Sequence, residues 1–351
     1  MRGTLPSTRR WVSILTLASV LAVAWPAVAG ASATSLPGAR PGPGGVSAAG
    51  AVAGTGSATG GGAELGAYEW DDATWWPDPS AYADTLTRLK GLGVTTLYVD
   101  ITEAVNLVRD HSSELGGFET AFGELVEEAD ADGVRVDAIG GDPTWATDRT
   151  GPAELLAVVS AITAAFPGAA LDGVQFDVEP WGLKSWGSHR AGLERHWLGF
   201  IRSTVTAWHR DGLEGRLGFT VPFWFDGGAV PRVTFGGSRN YPFQLALGIL
   251  SSLDTSVLNV MAYRNSTAGP NGSIDLFASN MAAAVAAGSH TELLAGQETG
   301  DVRPSDTTFY GTSCTTFDAA TAQIADAFDG DTLYEGVAVD DVESLEALCP
   351  E

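Results

Sequence analysis

Asp177 and Glu179 lie near the end of the stretch LDGVQFDVEPW, Leu171–Trp181, in which apolar and polar residues alternate. Residues two apart in a strand share a face, with Cα atoms roughly 6.5–7 Å apart. Gln175, Asp177 and Glu179 then line one side, and Val174, Phe176 and Val178 the other. Two carboxyl groups at that spacing in a dry site push their pKa values apart, so that one keeps its proton and the other stays ionised. That is the equipment of general acid–base chemistry. A buried polar network that merely ties strands together is the plain alternative. Glu179 is followed by Pro180 and Trp181, which end the strand and place its carboxyl at an open lip rather than mid-strand.

Other polar residues fall at the ends of other strand-like runs: Asp100, Asp142, Tyr263, Asn265, Glu298 and Asp340. Singly, each reads as a cap or a solvated loop residue; their convergence from several strands makes them candidates for a site. Tryptophan is the second signal. Trp70, Trp75, Trp76, Trp145, Trp181, Trp186 and Trp224 all fall at or just after such ends. Flat rings at a mouth suit stacking on a sugar face, with the indole N–H as a polar handle. Loop packing is the alternative for any one of them.

The elements that would position these residues alternate along the chain. Strand-like runs are AYEW, TTLYVDIT, RVDAIGGD, GVQFDVEP, RLGFTVPFWF, SVLNVMAY, TELLAGQE and YEGVAVDD, with helix-like stretches between them. Alternation with connections of crossover length predicts a parallel sheet. Eight units over the region 64–351 predict an α/β protein, a closed (β/α)8 TIM barrel in a single domain, whose sites gather at the C-terminal ends of the strands. A doubly wound open sheet is the alternative, but no glycine-rich phosphate loop follows the first strand. Leu97, Val99 and Ile101 oppose Tyr98, Asp100 and Thr102, and Leu258, Val260 and Ala262 oppose Asn259, Met261 and Tyr263. The apolar side of each strand is expected to face helices and the mixed side the barrel interior.

The chain before the barrel has a different composition. Residues 1–33 run from arginines through an apolar stretch to small residues, the order of a secretory signal peptide. The pair Arg9-Arg10 fits twin-arginine export loosely, and a retained membrane anchor is the alternative. Residues 34–63 are nearly all Gly, Ala, Ser, Thr and Pro, the composition of a flexible linker. The protein is therefore expected to be secreted, with no membrane association once the signal is cleaved. The whole chain carries a net charge of −24; all 43 acidic residues and 15 of the 19 basic ones lie in 64–351, giving that region −28. Such a surface repels nucleic acid and anionic membranes. A monomer is expected. Cys314 and Cys349 are the two cysteines, too few for a metal site and an even pair in an exported chain, which suggests one disulfide. The five histidines make no metal-ligand spacing, and there is no nucleophile elbow. No metal and no cofactor are expected.

The run DGVQFDVE resembles the D-G-x-D-x-D-x-E motif of glycoside hydrolase family 18, the chitinase-like barrels, where it occupies the fourth strand. The resemblance implies that Glu179 is the general acid and that Asp177 orients a substrate N-acetyl group whose oxygen acts as nucleophile. VLNVMAY resembles that family's sixth strand, which gives Tyr263 contact with the same group. Gln175 stands where the family usually has an aspartate, and the family's eighth-strand tryptophan has no match in GVAVDDVESL. A second resemblance is to the clan of retaining barrel glycosidases, which implies Glu179 as acid/base and Glu298, in GQET, as nucleophile. Both imply a carbohydrate partner and hydrolysis of a polysaccharide or oligosaccharide, the first one containing N-acetylhexosamine. Expected substrate contacts are Gln175, Trp181, Trp145, Trp224, Trp70, Asp100, Asn265 and Asp340. A secreted barrel that binds carbohydrate without cleaving it is the reading from another class.

Overall fold

The computed structural model describes residues 63–167 and 171–350. The signal peptide and most of the linker read from the sequence lie outside the described residues.

Eight strands close into a parallel barrel: β1 (Glu64–Glu69), β2 (Thr96–Asp100), β3 (Arg135–Gly140), β4 (Gly173–Phe176), β5 (Arg216–Pro222), β8 (Ser256–Met261), β9 (Glu292–Glu298) and β10 (Tyr334–Asp340). Each pairs with its neighbours in chain order and β10 returns to β1, Leu65 opposite Val337. The expected (β/α)8 barrel is the observed fold, and the open sheet is excluded. The hairpin β6 (Val233–Phe235) and β7 (Ser238–Asn240) is inserted after β5 and was not foreseen.

The helices α1 (Ala83–Gly91), α2 (Thr102–Arg109), α3 (Leu115–Ala131), α4 (Thr150–Ala165), α5 (Trp186–Asp211), α6 (Pro242–Leu250), α7 (Ser273–Ala286), α8 (Cys314–Phe328) and α9 (Val342–Leu348) surround the barrel. The outward-facing residues of the strands, such as Leu97, Val99, Val174, Phe176, Leu258 and Val260, are buried in one large core with helix residues such as Phe118, Phe122, Trp197 and Phe200. Burial on both faces is why these strands carry β-branched and aromatic residues in near-continuous runs. No helix among the described residues is long and apolar enough to cross a membrane.

The barrel interior is stratified. Its N-terminal floor is a charged cluster: Arg216 bonds Glu64 (Nη1–Oε2, 2.7 Å) and Asp137 (Nε–Oδ2, 2.7 Å), and Arg135 reaches Glu64 from the rim. Above it Tyr68, Tyr98, Ile139, Val257, Leu294 and Ala338 form a small apolar cluster of their own. The third level is the mouth. Cys314, at the start of α8, and Cys349, after α9, are joined by the expected disulfide, with Cα atoms 4.8 Å apart.

Candidate active site

Residues two apart on an inward face climb the barrel in steps, and the site is built by that climb. On β1, Tyr68 lies in the interior and Trp70 above it, their rings stacked at 5.2 Å. On β4, Gln175 is fully buried, and just past the strand's end Asp177 reaches the cleft. From β5, Thr220 donates its hydroxyl proton to Asp177. β8 carries Asn259 below Met261 and leads to Tyr263, and β10 ends at Asp340. Tyr68, Trp70, Asp177, Glu179, Thr220, Met261, Tyr263 and Asp340 line one cleft at the mouth. Its free volume of about 10 Å³ is that of one water. A sugar ring must therefore displace the lining to descend into it. Trp70 forms one wall; it is part-buried, stacks on Tyr68 and makes one hydrogen bond, from Nε1 to Asp340 Oδ1 at 2.7 Å.

No lysine or arginine lines the cleft. Burial, and then the charges of Asp177 and Asp340, hold the Glu179 carboxyl well above the usual range. Trp181 gives Glu179 a hydrogen bond that opposes this rise without cancelling it. Burial lifts Asp177 less, to about 6, because the Thr220 hydroxyl stabilises its anion. Asp340 is pushed up to about 7 by burial and by the neighbouring Asp341 and Asp177; Trp70 and Tyr263 hydrogen-bond it and pull the other way. Neighbouring carboxyls so arranged titrate as a set, with Glu179 the group that keeps its proton longest among these three.

The structure brings together Glu179, Asp177, Tyr263, Trp70 and Asp340 from among the residues expected at the site. It separates others. Gln175 lies a level too deep, where it donates to the Tyr68 hydroxyl, which also receives Asn259. It can support the site from beneath but cannot touch substrate in the cleft. Trp145 is 2 % exposed: the 3₁₀ turn Pro143–Ala146 folds its ring back under the start of α4, against Gly151, where a Cβ would lie 2.3 Å from the indole. It is a core residue and not a sugar platform. Asn265 spends its amide protons on the carbonyls of Ser305 and Thr308, both at 2.9 Å, and ties two loops together. Asp100 accepts from the amide and hydroxyl of Thr102 at 2.9 and 2.6 Å; burial lifts it to about 7. Trp224 is half-buried and packs edge-on against Trp181 and Phe225, beside the cleft and not in it. Trp75 and Trp186 are core residues.

Glu298 also points inward by parity, since Leu294 on the same strand belongs to the interior cluster and Glu298 pairs in register with Asp340. Its carboxylate is buried, accepts from the Gly300 amide at 2.6 Å, and lies outside the cleft lining. Burial, and then Asp340, raise it to about 9. Three lining residues were missed: Tyr68, Thr220 and Met261. The signal was present, because each falls on the inward parity of a recognised strand, two residues from another interior position.

No protein-family model matches the chain, and no curated protein matches it. Solved structures do resemble it. A family 1 β-glucosidase from Thermotoga maritima aligns with TM-score 0.52 and 9% identity over 79% of this chain and 87% of that one. An exo-β-1,4-mannosidase from Opitutaceae bacterium strain TAV5 aligns with TM-score 0.53 and 13% identity over 79% of this chain and 51% of that one. At such identities the likeness is one of fold, and it agrees with the closed barrel described above.

Proposed function

We propose that the protein is an exported glycoside hydrolase that cleaves a polysaccharide or oligosaccharide containing N-acetylhexosamine, with Glu179 as general acid. One observation carries the reading: two buried carboxyls, Glu179 and Asp177, share the cleft at the barrel mouth with no lysine or arginine in its lining, so that burial raises both. A glycosidic oxygen leaves as an alcohol only if it is protonated as the bond breaks, and a raised carboxyl supplies that proton near neutral pH. Asp177 then serves on the side of the developing positive charge, by holding an N-acetyl group whose carbonyl oxygen closes on the anomeric carbon. Thr220 fixes the Asp177 carboxylate, and Tyr263 and Asp340 close the opposite wall. Trp70 offers its ring to the sugar face. The two solved structures named above are a β-glucosidase and an exo-β-1,4-mannosidase on the same fold, which agrees with this reading but gives no substrate.

The test is Glu179→Gln, assayed by release of reducing ends from a panel of N-acetylated and neutral glycans. The substitution keeps the shape of the protonated carboxyl and removes the transferable proton. Turnover is expected to fall by roughly 10² or more while glycan binding is kept. Turnover at the wild-type rate removes Glu179 as the acid. Binding of glycans by the unaltered protein with no turnover on any of them supports instead the non-catalytic carbohydrate-binding barrel.

A further inference from the structure

A second concavity lies on the outer wall of the barrel, between α5, α6 and the β6–β7 hairpin, and shares no residue with the mouth. Its volume of about 610 Å³ is within the roughly 300–1,000 Å³ of ligand sites. Val205, Leu245 and Ile249 contribute apolar surface, and Arg202, His209 and Arg239 stand exposed around them. The hairpin turn builds one wall. Gly236 and Gly237 both have positive φ, 59° and 87°, as a two-residue turn of this hand requires, and a Cβ on Gly236 would lie 3.0 Å from Arg202 Nη2. The Arg202 guanidinium lies over the Phe235 ring, 3.9 Å from its centroid. Among the described residues, neither Arg202 nor Arg239 pairs with a carboxylate.

The charge balance around the groove is unusual in this chain. From Trp186 to Asn240 there are seven arginines and four acidic residues, whereas the rest of 64–351 holds eight basic and 39 acidic. A strongly acidic barrel thus keeps two unpaired guanidiniums at the rim of one groove. Uncharged hydrogen-bonding side chains stand beside them. Asn240 and Gln244 line the groove, and the buried Gln244 Oε1 has no donor among the described residues. Guanidinium forks match carboxylates, and carboxamides and hydroxyls match sugar hydroxyls. We infer that this groove is a binding site for an acidic oligosaccharide, one whose sugars carry carboxylates. It holds the glycan by its charge at a distance from the acidic mouth, where the same polyanion is repelled.

The experiment is titration calorimetry of the folded protein with oligogalacturonate, with three comparisons: a neutral oligosaccharide of equal length, oligoglutamate of equal charge, and inorganic sulfate. Saturable binding of the uronate is expected, at least tenfold weaker in Arg202→Ala/Arg239→Ala, weaker at high salt, and unchanged in Glu179→Gln. Arg239→Glu, at an exposed position, guards against a misfolded double variant and is expected to weaken binding as strongly. The proposal fails if no uronate binding is seen, or if binding survives both arginine changes. It fails also if oligoglutamate or sulfate binds as well as the uronate, since the groove would then recognise charge alone. Because Glu179→Gln leaves this site intact, its outcome is separate from that of the proposed hydrolysis.

Discussion

The floor and the mouth of the barrel interior both bury carboxylates, and they shift Glu64 and Glu179 in opposite directions. At the floor, burial alone would raise Glu64, but the charge and hydrogen bonds of Arg216, with help from Arg135 and Tyr98, bring it below its usual range. Asp137 has only the Arg216 Nε contact, with its other oxygen unpartnered, and burial still carries it up to about 6. At the mouth there is no guanidinium in the lining, and Glu179, Asp177 and Asp340 all rise. Depth in the barrel does not explain the contrast; the number of cationic contacts does. Paired carboxylates hold a structure together, whereas carboxyls left to share protons with one another are poised to transfer them.

Arg216→Met breaks this comparison most severely. It strands Glu64 and Asp137 without their buried partner, for which a loss of about 3–5 kcal/mol is expected in urea unfolding. Glu179→Gln replaces a buried carboxyl that its surroundings disfavour as an anion with a neutral group of the same shape, and is expected to leave the unfolding midpoint unchanged or higher. If the two variants lose equal stability, the mouth is a structural network like the floor, and the division between them collapses.

The contrast itself was only half legible in the sequence. Strand positions and inward parity could be read because alternation survives in each run: Gln175, Asp177 and Glu179 fell on one face, as did Asn259 and Tyr263. Depth could not be read that way. Parity assigns Gln175 and Asp177 the same direction, but only the closed barrel shows that one binds Tyr68 while the other reaches the cleft. Trp145 failed for a different reason. A ring just after a strand can point outward or fold back, and the tight 3₁₀ turn at Pro143 decided it. Arg216 opens the fifth strand-like run, yet its pairing with Glu64 joins residues 152 apart, which no local pattern reports. The disulfide was accessible because two cysteines allow one pairing.

A smaller effect tests the sign of the difference. Asp340 is raised to about 7 by burial first and then by Asp341 and Asp177, while an unfolded aspartate titrates near ~3.9. The folded state holds that proton more tightly. Stability from this group is therefore fully present below about pH 4 and is lost as pH rises through about 7. Glu64, held below its usual value, runs the other way: its contribution is present above the unfolded value and is lost as pH falls through the lower folded value. Asp340→Asn is thus expected to stabilise the protein at pH 8 relative to the wild type and to change little at pH 4. Urea midpoints at the two pH values decide it; an equal difference at both would mean that Asp340 acts through packing and not through its charge.

The smallest expected effect sharpens the assignment within the mouth. Glu298 and Asp177 are both inward carboxyls at strand ends, and each has been given the second role beside Glu179 by one of the two resemblances. The geometry distinguishes them. Asp177 lines the cleft and is oriented by Thr220, whereas Glu298 is turned to the Gly300 amide and stands outside the lining. A nucleophile of a retaining enzyme must reach the anomeric carbon, with its carboxyl roughly 5–5.5 Å from that of the acid. If substrate supplies the nucleophile, Asp177→Ala loses turnover by a factor of about 10² or more and Glu298→Ala by only a few-fold. The few-fold loss arises because Glu298 pairs in register with Asp340, and removing its buried side chain loosens that wall of the mouth without touching the reacting groups. Azide makes the distinction sharp, since a small anion fills the space left by a missing carboxylate nucleophile and attacks in its place. No rescue of Glu298→Ala is expected. Recovery of its activity with a glycosyl azide as product would make Glu298 the nucleophile and leave Asp177 a positioning role.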